Sequence, residues 1–127
     1  MLHEDLTEQI IKAFYKVYNA LGHGFLEKVY ENALLYELKK NGLLVTQQEC
    51  IKVFYAGFLV GDYYADLLVN NLVIIELKAS ESLRQEHIAQ ITNYCKATGK
   101  EVGLLLNFGK TPEVKRVLFT RQWVSEV

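Results

Sequence analysis

The segment from Val102 to Asn107 limits the possible folds most, because it is short, uncharged and almost entirely apolar. It follows a segment from Leu83 to Ala97 in which Ile88, Ile91 and Cys95 recur at helical spacing. A strand without charge that is reached through a helix is typical of one that is buried on both faces and parallel to its neighbour. The chain is therefore predicted to form a mixed β-sheet.

The rest of the chain predicts two helices and then a run of strands. Apolar residues recur every three or four positions from Leu6 to Leu21 and from Leu26 to Leu38, and Asn41-Gly42 follows as a stop signal. Stretches rich in Val, Ile, Tyr and Phe then predict strands, the last of them after Pro112. The predicted strands are residues 43–56, 58–69, 72–79, 102–107 and roughly 115–120. The order ααβββαββ predicts an α/β fold, a single domain over residues 1–127 with a mixed β-sheet flanked by helices and an antiparallel meander of its first three strands.

Charge, hydropathy and cysteine content restrict the possible partners. Fourteen Lys plus Arg against fifteen Asp plus Glu give a net charge of −1, so any contact with nucleic acid must be local. The sequence shows no secretion signal and no apolar run of membrane-spanning length, so we expect a cytoplasmic protein without a membrane partner. Cys50 and Cys95 are far apart and the three histidines are scattered, so a bound metal would need oxygen ligands.

Charged residues interrupt two strands that otherwise read as apolar. Asp66 lies inside the second predicted strand, although Asp is unfavourable in strands. The apolar run of the third strand continues into Glu76-Leu77-Lys78, which places Glu76 and Lys78 on one face. Taken alone, Glu76 and Lys78 have a commoner interpretation as an exposed cross-strand charge pair.

The turn between these strands decides whether Asp66 and Glu76 meet. A strict two-residue turn at Asn70-Asn71 would pair Asp66 with Ile75 and put the two carboxylates on opposite faces. A three-residue loop or a bulge would pair Asp66 with Glu76 or nearby, on the same face, and we expect this second arrangement. Two adjacent carboxylates repel each other unless a cation lies between them, and hard oxygen ligands suit Mg²⁺ or Mn²⁺.

The spacing of these residues resembles the signature of the PD-(D/E)XK nuclease superfamily, with the acid Asp66 in one strand and Glu76-Leu77-Lys78 in the next. The segment from Gly24 to Tyr30 also matches the GxxExxY pattern of a family of small bacterial proteins in that superfamily. The segments from Gln90 to Gly99 and from Gly103 to Gly109 resemble the same family. This resemblance implies a restriction-endonuclease-like core.

Two helical residues are expected to join the site. Glu27 shares a largely apolar helical stripe with Tyr30, Leu34 and Leu38, although it is also explained as a first-turn acid favoured by the helix dipole. Gln90 lies on a stripe that can point inward from the helix after Lys78. The superfamily resemblance implies that a first-helix acid helps to bind the metal or its water, and that a glutamine on this later helix supports the site.

The resemblance implies a Mg²⁺- or Mn²⁺-dependent nuclease that hydrolyses phosphodiester bonds, with DNA favoured over RNA as substrate. Asp66 and Glu76 would bind the metal, with the Leu77 carbonyl as a further ligand. Lys78 would orient or deprotonate the attacking water, or neutralise the phosphorane. Glu27 would hold a water of the metal, and Gln90 would fix Lys78 or the nucleophile.

An alternative from a different class is a non-catalytic nuclease-fold domain that serves protein interaction or oligomerisation. The short chain and its small net charge favour this alternative, and a homodimer or an unknown protein partner would then be expected. The complete set of candidate residues favours the enzyme, because a degenerate domain would be expected to lose part of it. Stabilisation by Mn²⁺ would separate the two interpretations.

Overall fold

Five strands form one mixed sheet whose spatial order, β1-β2-β3-β4-β5, is also their order along the chain. The computed structural model of the chain describes residues 2–120, and within this range it has three helices and five strands in the predicted order ααβββαββ. The helices are α1 (Glu4–Leu21), α2 (Glu27–Lys40) and α3 (Gln85–Thr98). The strands are β1 (Val45–Tyr55), β2 (Phe58–Val69), β3 (Val73–Lys78), β4 (Val102–Phe108) and β5 (Pro112–Leu118).

The pairing directions confirm the predicted mixed sheet. Strands β1, β2 and β3 form an antiparallel meander, and β3 runs parallel to β4 after the α3 connection. Every residue of β4 is buried, which agrees with an apolar strand covered on both faces. The antiparallel strand β5 closes this side of the sheet.

Each face of the sheet has its own apolar core. Helices α1 and α2 cover one face, where Phe108 of β4 stacks on Tyr30 at 4.3 Å between ring centroids and meets Phe14 edge-on at 4.7 Å. Helix α3 covers the opposite face, where Ile91 and Cys95 are fully buried. The sheet therefore lies between two helical layers, and the α1–α2 face and the α3 face are used below as names for its two sides.

The position of the last strand differs from the prediction. It spans Pro112–Leu118 rather than residues 115–120, so it begins at the proline instead of after it. A proline cannot donate a ladder hydrogen bond, but it is tolerated as the first residue of an edge strand, where Pro112 lies opposite Phe108. The other predicted boundaries agree with the structure to within about two residues, including the start of α1 at Glu4 instead of Leu6.

Within residues 2–120, none of the helices is long and apolar enough to cross a membrane.

Candidate active site

A three-residue loop sets the register between β2 and β3. Residues 70–72 lie between the paired residues Val69 and Val73, and the pairing continues to Leu67 opposite Ile75. Asn70 and Asn71 both have positive φ, at 52° and 57°, a conformation that asparagine tolerates better than most residues. The next facing positions are Asp66 and Glu76, so the register places these two carboxylates beside each other, as the longer loop predicts.

The side chains of Asp66 and Glu76 take over the hydrogen bonds where the β2–β3 ladder stops. The backbone N–H of Asp66 donates to Glu76 Oε1 at 3.0 Å, and the backbone N–H of Leu77 donates to Asp66 Oδ2 at 2.7 Å. Each carboxylate is therefore held by a backbone group of the facing strand. The two acids are fixed in position at the point where the strands separate.

The regular alternation of side chains along β2 is broken at Asp66. Leu67 packs into the core of the α1–α2 face, but Ala65 and Leu68 both pack into the core of the α3 face. A regular strand would put residues 65 and 67 on the same side. The facing residue of β1, Gln48, has a positive φ of 55°, so both strands are irregular at the same level. Asp66 consequently lies where side chains from both faces can reach it.

Burial makes the charged forms of both acids unfavourable. Glu76 is only 5% exposed, and burial, followed by repulsion from Asp66, raises its pKa to about 8. Burial also raises the pKa of Asp66, together with repulsion from Glu31 and Glu27, although the Leu77 amide partly offsets this. Lys78 lowers the pKa of Glu76 through its charge, but not enough to cancel the burial. The pair would be stabilised as carboxylates by a further cation.

Lys78 is connected to α3 through Gln90. The ammonium group of Lys78 donates to Gln90 Oε1 at 3.5 Å, and Gln90 Nε2 donates to the Tyr94 hydroxyl at 3.1 Å. Glu76 and Lys78 lie on the α3 face, because their neighbour Ile74 belongs to that core. Burial, and next the charge of Glu76, raises the pKa of the Tyr94 phenol. The structure thus brings Lys78 and Gln90 together beside the two acids.

Glu27 lies at the start of α2 and is exposed, whereas the rest of its predicted stripe, Tyr30, Leu34 and Leu38, is fully buried. The reason is that α2 begins at Glu27, so its side chain extends beyond the helix layer. The Glu27 side chain has no hydrogen bond or ion pair with another of residues 2–120, yet its charge acts on both Asp66 and Glu76. Glu27 therefore faces the site through space rather than through contact.

The Tyr30 hydroxyl fixes the loop that leads to Glu27. It donates to the Gly22 carbonyl at 2.6 Å and accepts the backbone N–H of Phe25 at 3.1 Å. Both contacts lie within the few residues that precede α2. The tyrosine of the Gly24-to-Tyr30 segment is thus a core residue that positions the beginning of the helix.

Glu31 is a buried acid that the sequence interpretation missed. Its side chain, 4% exposed, accepts from Lys28 at 2.9 Å, from Gln47 at 2.6 Å and from Gln48 at 3.0 Å. Gln48 also donates to Asp66 Oδ1 at 3.4 Å. The sequence does contain a pattern that indicates Glu31. It lies three residues before Leu34 and seven before Leu38, on the apolar helical stripe assigned to Glu27.

Asn107 supports the segment that follows Lys78. This fully buried side chain accepts the backbone N–H of Ser80 at 3.0 Å and donates to the Ser80 carbonyl at 2.9 Å and to Glu113 Oε1 at 2.9 Å. Gly109 lies against the same segment, since a Cβ there would come within 2.3 Å of the Ser80 carbonyl oxygen. The chain leaving β3 is held in place on both sides.

The donor set at Asp66 and Glu76 fits a hard divalent cation. No cluster of three or more His, Cys, Asp or Glu side chains placed to hold a metal occurs within residues 2–120. Mg²⁺, however, is commonly held by one or two carboxylates, with water and substrate phosphate completing its ligands. Leu77 can take part only through its backbone carbonyl, because its side chain has no donor atom and is buried in the core of the α1–α2 face.

Comparison with known proteins identifies one family whose model matches the chain and two solved structures with a similar fold. The family model of the PD-(D/E)XK nuclease superfamily matches residues 4–117. In structure, the chain is similar to an alkaline exonuclease (LHK-Exo) from Laribacter hongkongensis, with a TM-score of 0.55, 17% identity and coverage of 78% of this chain and 59% of that one. It is also similar to SSO0001, with a TM-score of 0.60, 17% identity and coverage of 93% and 61%.

The chain thus spans about three fifths of the length of each of these two structures. At 17% identity the likeness concerns the fold, which in both cases includes most of the chain described above. No curated protein matches the chain in sequence.

Proposed function

Because this chain belongs to the PD-(D/E)XK nuclease superfamily, we propose that it is a divalent-metal-dependent nuclease that hydrolyses phosphodiester bonds of nucleic acid. The observation that carries the proposal is the pairing of Asp66 with Glu76, with Lys78 on the same face two residues further on. DNA is the favoured substrate class. We further propose that the chain belongs to the GxxExxY family, on the residues from Gly24 to Tyr30.

Asp66 and Glu76 would hold the metal, Mg²⁺ or Mn²⁺, with the Leu77 carbonyl as a further ligand. When bound, such an ion supplies Lewis-acid polarisation of the phosphate and charge neutralisation. The backbone amides of Asp66 and Leu77 each occupy one oxygen of the facing carboxylate, which orients the remaining oxygens. The two acids would therefore bind without rearrangement of the strands.

Lys78 would act on the water and the phosphate. Lys78 lies on the same face as Glu76, its charge acts on that carboxylate, and its ammonium group is held by Gln90, so it can donate to a non-bridging phosphate oxygen or orient the attacking water. As a neutral amine it would instead accept the proton of that water. Gln90 is in turn held by Tyr94, which restricts the positions open to the lysine.

Glu27 would complete the entrance of the site. Its exposed carboxylate acts electrostatically on both metal-binding acids, which supports a role in holding a water of the metal rather than the metal itself. A cytoplasmic location is consistent with Cys50 and Cys95, which are both unpaired thiols.

A second candidate function is a protein-interaction or oligomerisation module, with a second copy or another protein as partner. The observation that favours it is the number of exposed apolar side chains on the hairpin of β1 and β2, among them Tyr55 and Phe58, which are 75% and 74% exposed. This candidate does not explain why two acids are held together beside a lysine. It is tested by the same experiment as the enzyme.

The test is cleavage of labelled single-stranded DNA, duplex DNA and RNA with Mg²⁺, Mn²⁺ or a chelator. Wild type would be compared with Asp66→Asn and with Glu8→Gln, an exposed acid on α1 that serves as the matched control. We expect metal-dependent cleavage by wild type and the control, and none by Asp66→Asn. A folded wild type that neither cleaves nor binds Mn²⁺ would favour the interaction module.

A further inference from the structure

A groove lies between the β1–β2 hairpin and helix α3, with a volume of about 750 Å³. Phe54 and Tyr63 line its hairpin side, and Gln90, Asn93 and Tyr94 line its α3 side. The volume is in the range of pockets that bind small organic groups. The groove, called the hairpin–α3 groove below, is open and large enough for an aromatic ring system.

The groove is continuous with the candidate active site. Gln90 and Tyr94, which form its α3 wall, bond to each other, and Gln90 also accepts from Lys78. The charges of Glu76 and Asp66 act on the Tyr94 phenol. Any group that fills the groove would therefore lie next to the proposed reaction centre.

The chemistry of the walls suits a nucleobase. The rings of Tyr63 and Tyr94 are 5.9 Å apart, and Tyr63 and Phe54 remain 50% and 61% exposed, which leaves aromatic surface free for stacking. The Asn93 side chain is exposed in the groove and offers both a donor and an acceptor for a base edge. Exposed aromatic surface beside amide groups is typical of single-stranded nucleic-acid sites.

Lysines at the margin of the groove can bind phosphate. Lys52 on β1 and Lys96 on α3 are exposed lining residues, against one lining acid, Glu86. This local positive balance differs from the chain's net charge of −1. The two lysines are available to pair with phosphates of a strand whose base occupies the groove.

We propose that the hairpin–α3 groove binds an unpaired nucleobase next to the phosphate that is cleaved, so that the substrate is single-stranded nucleic acid or an unpaired end. A base within a duplex is stacked on both sides and cannot enter a recess without leaving the helix. The inference rests on the proposed nuclease function, whose substrate class it names. A protein partner is the competing occupant of this groove, and the experiment below separates the two.

The experiment measures binding without cleavage. Fluorescence anisotropy with a chelator present would give the dissociation constants of the whole chain for a short single-stranded DNA, the same sequence as RNA, a blunt duplex, and a single strand with abasic sites. The variants are Tyr63→Ala, Tyr63→Phe and Phe54→Ala. Tyr64→Ala is the matched control, because Tyr64 is the next residue of β2, is 55% exposed and does not line the groove.

We expect Tyr63→Ala and Phe54→Ala to weaken binding of the single strand about tenfold, as for loss of one stacked base. Tyr63→Phe should bind like wild type, and Tyr64→Ala should stay within about twofold of wild type, because its ring lies outside the groove. Abasic sites in the strand should weaken its binding to wild type. They should not weaken binding to Tyr63→Ala any further, since the abasic site and the substitution remove the same contact. DNA and RNA strands then rank the sugar preference of the same base site.

Equal affinity for blunt duplex and single strand, or no loss with Tyr63→Ala and Phe54→Ala, would overturn the base site. So would a shift from dimer to monomer in Tyr63→Ala with unchanged oligonucleotide binding, which would make the hairpin an interface. The nuclease proposal fails separately: groove-dependent binding without cleavage by wild type in Mn²⁺ would keep the base site and reject the enzyme. Cleavage by wild type and by Tyr63→Ala at the same rate would keep the enzyme and reject the base site.

Discussion

Asp66 and Glu76 hold each other's strands together where the β2–β3 ladder ends: the Asp66 amide donates to Glu76 Oε1 at 3.0 Å, and the Leu77 amide donates to Asp66 Oδ2 at 2.7 Å. Two acids in this arrangement are costly in the absence of a cation, because burial and mutual repulsion oppose ionisation. They are nevertheless fixed by the backbone. This combination of fixed geometry and unfavourable charge is typical of a functional site rather than of a core.

Metal binding should become tighter as the pH rises. Burial raises the pKa of Glu76 to about 8, so below that pH a cation must displace a proton from the site. We expect the affinity for Mn²⁺ to increase by up to about tenfold per pH unit between pH 6 and 8 and to level off above that range. Calorimetric titration in buffers of different ionisation enthalpy would detect the released proton. A pH-independent affinity over this interval would contradict the prediction.

Replacing the buried acid should stabilise the metal-free protein. The pKa of Glu76 is about 8 in the folded chain against 4.5 ordinarily, so its contribution to stability is complete below pH 4.5 and is lost as the pH rises towards 8. Glu76→Gln removes this loss, and its amide oxygen can still accept the Asp66 amide. We expect a gain of about 1–2 kcal/mol at pH 8, or about 3–6 °C in Tm, with loss of Mn²⁺ stabilisation.

The control for this variant is Glu8→Gln on α1, which is exposed and should leave both Tm and the Mn²⁺ response unchanged. Differential scanning calorimetry with and without Mn²⁺ gives both readings. A Glu76→Gln protein that is less stable than wild type at pH 8 would show that the carboxylate is structural.

Much of this site follows from the sequence because it depends on local register. The Asn70-Asn71 pair tolerates positive φ, which makes the three-residue loop possible and sets Asp66 opposite Glu76. The parallel pairing of β3 with β4 follows from an uncharged strand reached through a helix. Both features are encoded within a few residues of the elements they position.

The remaining features depend on contacts between distant segments. Glu31 is buried because Gln47 and Gln48, sixteen and seventeen residues away, supply donors that no local pattern reveals. The face change at Asp66 accompanies a positive φ at Gln48, a residue type with no preference for that conformation. Glu27 is exposed although α2 begins within one residue of its predicted start, because helical spacing shows which residues share a stripe but not how far the sheet covers that stripe towards the end of the helix.

Removing the charge of Glu31 should lower the pKa of Asp66, because repulsion from Glu31 helps to raise it. Glu31→Gln would also weaken the bonds from Lys28 and Gln48 and should cost about 1–3 kcal/mol. NMR titration of the Asp66 carboxyl and urea unfolding would measure the two effects.

The control for Glu31→Gln is Glu37→Gln on the same helix. Glu37 pairs with Lys16 at 3.3 Å, and loss of this partly exposed ion pair should cost less than about 1 kcal/mol. The titration of Asp66 should not change. An Asp66 pKa that moves equally in both variants would show that the effect is not specific to Glu31.

Shifting the β2–β3 register by one residue should destroy the site. Deletion of Val69, with the three-residue loop kept, would pair Leu68 with Val73 and hence Asp66 with Ile75, which separates the two carboxylates. We expect the deletion to abolish Mn²⁺ binding and to destabilise the fold. Asn71→Gly should keep both Mn²⁺ binding and stability, because glycine accepts the positive φ of 57°. Circular dichroism and calorimetry would follow fold and binding. A deletion variant that binds Mn²⁺ like wild type would refute the importance of this register.

The most direct measurement is the rate of hydrolysis of a labelled single-stranded oligonucleotide in Mn²⁺ by wild type, Lys78→Ala and Lys100→Ala. Lys100 bonds to Asn71 at 3.1 Å on the surface and is the matched control. A nuclease that uses Lys78 should lose about 10²–10⁴-fold in rate in Lys78→Ala, keep its rate in Lys100→Ala, and lose it with chelator. Hydrolysis that survives Lys78→Ala in correctly folded protein, or that persists without metal, would contradict a metal-dependent reaction at this site.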